Sequence, residues 1–272
     1  MPLIKAILLP HSPLLIPEIG RVNYNFLNKT AEIYKQTSIE LKENKIDTII
    51  IISPHALAQE NEFLINVAPE MIINLKDFGF IPPKTTLDGD SLLADRIKNA
   101  LKTNSDFIVQ LVSQEEIDYG SAIPAYLLKN ISSNFKLLII SPATEKSLEE
   151  QFLFGQKLNE VINESEKNIA LIVSGDLSHR LKKKSPAGYS PKGTKFDNRL
   201  IEYLSDSKNA ISNILKMDKN LIKEAGECGL KPIVIALGIL DQNNWQGEVL
   251  AYQTDFGIGY LSLNFKLEDL KQ

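Results

Sequence analysis

The stretch Ile46-Asp-Thr-Ile-Ile-Ile-Ile-Ser-Pro-His55 holds five isoleucines, four of them consecutive, and ends at a Pro followed by a His. Its length and β-branched content read as a strand over residues 46 to 52. Two further apolar runs also lead to a His, one through Pro and one through Ser-Gly-Asp-Leu-Ser. Leu3-Ile-Lys-Ala-Ile-Leu-Leu-Pro10 precedes His11, and Ile169-Ala-Leu-Ile-Val-Ser-Gly-Asp-Leu-Ser178 precedes His179. These are the three histidines of the chain. A single His beside a strand end is usually a partner for a loop carbonyl, but here none falls on a helix face or a helix end. The carboxyl ends of strands in an open α/β sheet form the rim where ligands bind, so the three imidazoles point to one site.

Outward from these runs, short β-branched segments alternate with amphipathic stretches of helical length. Strands are predicted at 3–9, 46–52, 62–67, 106–112, 136–141, 168–174, 247–253 and 258–264. Helices are predicted at 24–43, 90–103, 121–131, 145–164, 194–206, 208–224 and 230–240. The pattern predicts an α/β fold, a three-layer α/β/α sandwich. The last two strands follow one another across Thr254-Asp-Phe-Gly257, so the sheet should be mixed and mostly parallel. No Pro/Gly/Ser-rich linker and no repeat divides the chain, and residues 1–272 read as one domain. Leu181 to Phe196 leaves directly from His179 and reads as a long functional loop.

The 272 residues suffice for a substantial core, and 43% hydrophobic and 24% charged residues are ordinary for a globular protein. A net charge of −4 gives no basic face for nucleic acid. Lys182, Lys183 and Lys184 form a short run that reads as a solvated loop. One cysteine, Cys228, rules out an internal disulfide framework and fits a reducing compartment. The N-terminus lacks a signal-peptide pattern, and no apolar run approaches the ~20 residues needed to span a bilayer. The expectation is a soluble, cytoplasmic protein with no membrane partner. Oligomeric state, with a homo-oligomer among the alternatives, does not follow from sequence.

Four segments carry the chemistry: Pro10-His11-Ser12-Pro13, Ser53-Pro54-His55-Ala56, Ser174-Gly175-Asp176-Leu177-Ser178-His179 and Glu224-Ala-Gly-Glu227-Cys228-Gly229. In the first two a Pro directly before the His stops the strand at a set point and aims each imidazole at the rim. Two neutral imidazoles and a carboxylate leave positions open on Fe(II) for an organic substrate and O2. Zinc accepts the same ligands for hydrolysis. The third His can act as acid or base near neutral pH. Walker-type phosphate loops, a Gly-x-Gly-x-x-Gly after a strand and a Gly-x-Ser-x-Gly elbow are all absent.

On these segments the chain resembles the class III extradiol ring-cleavage dioxygenases, the superfamily of the protocatechuate 4,5-dioxygenase catalytic subunit. It is also similar to that superfamily's Memo-like branch, and most of all to prokaryotic dioxygenase-like domains associated with AMMECR and radical SAM proteins. The resemblance runs from Pro10 to Phe265. It implies that His11 and His55 bind iron and that His179 is the catalytic acid and base. The third ligand falls at Glu227 or Cys228: the dioxygenases use a carboxylate, which favours Glu227, and Memo-like members place a cysteine in this register. Neighbours in an extended segment point to opposite sides, so only one of the two should reach a metal with good geometry. The family's Asp-His-Gly motif matches Asp118-Tyr119-Gly120-Ser121, so Tyr119 replaces a substrate-contacting imidazole with a phenol that does not titrate near pH 7. Tyr119, Tyr189, Ser12 and Ser178 are candidates to line the substrate pocket.

The resemblance implies a non-haem dioxygenase using Fe(II), with Zn or Cu as alternatives, that joins O2 to a small aromatic, catechol-like substrate. The alternative is a Memo-like metal-binding accessory protein working with an AMMECR-type or radical SAM partner, without ring cleavage. A metal-dependent hydrolase is a third class, but no second carboxylate motif for a water-activating base stands out.

Overall fold

The computed structural model describes residues 2–57, 59–83, 86–101, 108–129 and 135–268. Its strands are β1 (Leu3–Leu9), β2 (Thr48–Ile52), β3 (Glu62–Asn66), β4 (Glu70–Ile73), β5 (Thr86–Asp88), β6 (Ile108–Val112), β7 (Glu116–Ile117), β8 (Lys136–Ser141), β9 (Ile169–Ser174), β10 (Trp245–Gln253) and β11 (Tyr260–Leu267). The helices are α1 (Pro17–Gly20), α2 (Asn28–Glu43), α3 (Ser91–Leu101), α4 (Tyr119–Lys129), α5 (Leu148–Asn163), α6 (Pro191–Ser205), α7 (Ala210–Leu215), α8 (Lys219–Ala225) and α9 (Leu230–Leu240).

The isoleucine run explains the layering. Ile50 and Ile52 enter one core with Phe154 of α5, Phe196 of α6 and Ile233 of α9, while Ile49 and Ile51 enter a second core with Tyr34 of α2 and Ala122 of α4. Side chains on a strand alternate between faces, so an unbroken apolar run requires a cover on both. The result is the expected α/β/α sandwich.

The large sheet has the order β10-β11-β1-β9-β2-β8-β3-β6. β1, β9, β2 and β8 run parallel, and β3 and β6 run parallel to each other. β3 is antiparallel to β8, β11 to β1 and β10 to β11, so the sheet is mixed as expected. Leu9 pairs with Ser174 and Ile52 with Val173, which brings the ends of β1, β9 and β2 to one level. These three ends carry the histidine segments.

Some expectations need correction. The predicted helix 208–224 is two helices, because the Asp218 carboxylate accepts the Leu221 N–H and starts α8 anew. The helix predicted from residue 24 begins as a 3-10 turn over Arg21–Leu27. The loop predicted to reach Phe196 ends at Ser190, whose hydroxyl caps α6 with Pro191 at its first position. A second, three-stranded sheet, β5-β4-β7, was not expected, since strands of two to four residues carry too little periodicity to read. Parts of the elements predicted at 90–103, 106–112 and 121–131 lie outside the described residues, at 102–103, 106–107 and 130–131. Among the described residues no helix is long and apolar enough to cross a membrane.

α5 and α9 meet backbone to backbone at two glycines. A Cβ on Gly155 would overlap the carbonyl oxygen of Ile235, and one on Gly238 the carbonyl oxygen of Phe152. Gly238→Ala gains about 1 kcal/mol of helix propensity, yet a carbonyl held by a neighbouring helix cannot give way cheaply. We expect a net loss of about 2 kcal/mol, or roughly 5 °C in a thermal melt. A midpoint at or above that of the unmodified protein would mean that the helices have room.

Candidate metal centre

Beyond β1 the chain turns at Pro10, whose carbonyl accepts the Tyr34 hydroxyl at 2.7 Å. His11 follows, fully buried, with its backbone N–H on Asp176 Oδ1 at 3.2 Å. Beyond β2, Ser53 and Pro54 lead to His55. The two Nε2 atoms stand 3.2 Å apart, and the rings meet edge to face at 4.8 Å between centroids. Cys228 completes the group. Its Sγ is 3.7 Å from His11 Nε2, and the ligand atoms of His11, His55 and Cys228 all lie within 4.8 Å of one another.

Two loops are laced together to bring the cysteine to this rim. Asp176 O accepts the N–H groups of Cys228 and Gly229 at 3.3 and 3.0 Å, and Asp176 N–H points at Cys228 Sγ at 3.4 Å. Gly175 and Gly229 touch so closely that a Cβ on Gly175 would lie 2.5 Å from the Gly229 Cα. The segment between α8 and α9 is therefore held against the end of β9. The adjacent Glu227 is used otherwise: its carboxylate accepts the Leu230 N–H, one of the free donors at the start of α9, at 2.6 Å. Of the two alternatives for a third ligand, the structure brings Cys228 together with the histidines.

The surroundings of the three groups are well supplied with hydrogen bonds. His11 Nδ1 is 2.9 Å from Ser174 Oγ, whose hydroxyl donates to Gly120 O at 2.5 Å. Asp118 Oδ1 accepts the Ser53 hydroxyl at 2.6 Å, and Ser53 Oγ in turn accepts the His55 N–H at 3.3 Å. Tyr119 stacks on His55 at 4.5 Å with its hydroxyl 2.8 Å from His55 Nε2. His179 Nδ1 is 2.9 Å from Gly226 O. A carbonyl only accepts, so Nδ1 carries a proton, and in the neutral ring the lone pair lies on Nε2.

Burial dominates the electrostatics. It pulls His11 down to about 3, against the pull of Asp118, and His55 down to about 4 with help from His11. Both imidazoles are therefore neutral at pH 7, the form that binds metal. Burial also raises Asp176 to about 6 and Glu227 to about 7, and it pushes the Cys228 thiol up. Burial likewise keeps the Tyr119 phenol protonated, so it acts as a hydrogen-bond donor.

The other candidates sit as follows. Ser12 is buried and bonded to Tyr260. The Ser178 hydroxyl donates to Ala225 O at 2.7 Å. Tyr189 is largely exposed on the loop before α6. A cleft of about 300 Å³, lined by Phe78, Gln114, Glu116 and Ile117 among others, opens beside Tyr119. Sequence reading quoted Ser53, Asp118, Ser174 and Asp176 within its motifs and gave them no role. Their position beside each motif's His or Tyr was a signal, but their partners come from other strands.

Residues 5–262 match the family described as the catalytic LigB subunit of aromatic ring-opening dioxygenase. Protein CA_C1420 of Clostridium acetobutylicum is 29% identical over 264 residues, which is 93% of this chain and 55% of that protein. The chain thus spans about half the length of this relative. The 3,4-dihydroxyphenylacetate 2,3-dioxygenase of Escherichia coli is 24% identical over 253 residues, covering 88% of this chain and 90% of that enzyme. Among solved structures, the uncharacterized protein JW3007 of Escherichia coli K12 superposes with a TM-score of 0.69 at 18% identity, over 96% of this chain and 99% of that one. At that identity the likeness speaks for the fold alone. The extent of the family match decides the relationship: the chain belongs to the family of the catalytic LigB subunit of aromatic ring-opening dioxygenases.

Proposed function

We propose that this chain is a metal-dependent oxidoreductase of the ring-opening dioxygenase type, working as one domain, in which His11, His55 and Cys228 hold one metal ion. In this reading His179 moves the proton of a small aromatic, catechol-like substrate that reacts with O2. The observation that carries the reading is the convergence of two imidazole nitrogens and one sulfur within 4.8 Å.

The donor set fits a metal. Bond lengths of about 2.1 Å to nitrogen and about 2.3 Å to sulfur, at tetrahedral angles, separate two nitrogens by about 3.4 Å and a nitrogen from a sulfur by about 3.6 Å. The two separations that involve His11 are 3.2 and 3.7 Å, and His55 and Cys228 stand within 4.8 Å of each other. When bound, such an ion supplies the Lewis-acid and redox chemistry that side chains lack. A sulfur donor extends the choice from Fe(II) to zinc and copper.

The protein's own groups supply the rest. His179 Nε2, with its lone pair free, accepts a proton from a substrate hydroxyl and returns it later. The Tyr119 hydroxyl, 2.8 Å from His55 Nε2, is placed to donate to a substrate beside the metal, and Tyr119 also lines the neighbouring cleft, whose volume of about 300 Å³ is enough for a small substituted ring. Burial of His11 and Asp176 keeps bulk water from the inner side of the site.

A second reading is a Memo-like accessory protein that binds metal without opening rings. Cys228 as a sulfur donor and a phenol at position 119 both favour it. In this reading an AMMECR-type or radical SAM protein is the partner.

X-ray absorption at the metal edge tests the ligand set. We expect a sulfur shell near ~2.3 Å that disappears in Cys228→Ser, and loss of most metal in His11→Ala and in His55→Ala. A shell of nitrogen and oxygen alone would return the third position to Glu227.

The pH dependence of affinity separates the same alternatives. The Cys228 thiol must lose a proton that burial holds tightly, so zinc affinity should rise about tenfold per pH unit from pH 6 to 8.5. A Glu227 ligand, raised to about 7, would already be ionised above that pH and the curve would level off.

For the chemistry, His179→Gln should keep its metal and lose ring opening of a catechol followed by colour formation. Metal loss in that variant would make His179 a ligand. Absence of ring opening in the iron-loaded unmodified protein would favour the accessory reading.

A further inference from the structure

We propose that Ser174 is the positioning residue of this centre, holding His11 in the tautomer whose Nε2 lone pair faces His55 and Cys228. The inference rests on the reading of His11 as a metal ligand. Ser174 ends β9, between the strands that carry the two histidines, and is fully buried. A hydroxyl has one proton and two lone pairs. The Gly120 carbonyl, which can only accept, takes that proton across 2.5 Å, so what Ser174 presents to His11 Nδ1 at 2.9 Å is a lone pair. Nδ1 must then carry the imidazole proton. A neutral ring has one N–H, so its lone pair falls on Nε2, the atom that stands 3.2 Å from His55 Nε2 and 3.7 Å from both Cys228 Sγ and Asp176 Oδ2; at 3.7 Å that carboxylate oxygen is too far to hold the proton on Nε2 against the 2.9 Å contact at Nδ1.

The acceptor is itself well placed. Gly120 lies in the first turn of α4, where a Cβ would come within 2.7 Å of Ser53 Oγ and 3.1 Å of His55 Cδ2. Only glycine lets this turn approach so closely. In the same turn Asp118 grips the Ser53 hydroxyl, and Ser53 accepts the His55 N–H. One helix start therefore braces both histidines, His11 through Ser174 and His55 through Ser53. Outer partners of this kind set ligand orientation, and their loss typically costs 10- to 100-fold in metal affinity.

Two measurements test the role. Long-range proton–nitrogen NMR of the metal-free protein should find the His11 proton on Nδ1, and in Ser174→Ala that assignment should give way to a tautomer mixture. Zinc affinity by chelator competition should fall about 10- to 100-fold in Ser174→Ala and recover in Ser174→Thr, which keeps the hydroxyl. A His11 proton on Nε2 in the unmodified protein overturns the proposal without any variant. So does a folded Ser174→Ala that binds zinc within twofold of the unmodified protein. An unmodified protein that binds no zinc would instead overturn the centre, and the NMR result would still decide what Ser174 does to His11.

Discussion

β9 takes its ladder bonds from β1 on one edge and β2 on the other, all three parallel, with Leu9 level with Ser174 and Ile52 level with Val173. Parallel neighbours share a direction, so their carboxyl ends share a rim, and the next few residues of each must turn within reach of the others. His11, His55 and Asp176 come together for that reason. Slipping β1 against β9 by one residue would turn Leu8 and Leu9 to opposite cores, a cost large enough to hold the register and with it the spacing of the two imidazoles.

The rim is also where burial is put to use. Deep in the sheet the side chains are hydrocarbon, and hydration is simply lost. At the rim the same exclusion of water falls on imidazole, thiol and carboxyl groups, and each answers by favouring its neutral form. His11, His55 and Cys228 are therefore neutral at pH 7, while Asp176, raised only to about 6, keeps most of its negative charge beside them. A buried group of neutral donors with lone pairs converging on one point suits a cation better than an anion. Glu227, one residue from Cys228, shows how local the decision is: its carboxylate meets the free N–H of Leu230 at the start of α9, and this bond turns it from the histidines.

Much of this was legible in the chain. The unbroken apolar runs at 49–52 and 169–173 required strands covered on both faces, and the alternation with amphipathic stretches required helices to cover them. Pro10 and Pro54 marked where two strands stop, and a His after each marked the rim. Separately, the order of the motifs carried a resemblance to the class III extradiol dioxygenases, which the family match bears out; the strands, their covers and the rim are local matters. Short-range chemistry decides all of these, through side-chain period, β-branching and the missing N–H of proline.

Other features depended on partners far apart in sequence. Glu227 and Cys228 are adjacent, and nothing local says which faces the histidines; the contact of Gly175 with Gly229 does so across more than fifty residues. Ser174 reads as the last residue of a strand until Gly120 and His11 approach it from either side. The strands β4, β5 and β7 are too short to show a period and exist because they pair with one another. Sequence by itself determined the elements and the histidines at their ends, because those follow from local sterics and periodicity. Tertiary structure alone decided that Cys228 and not Glu227 lies beside the histidines, that Ser174 meets His11 Nδ1 and that a cleft opens beside Tyr119, because each is a contact between segments that only strand pairing brings together.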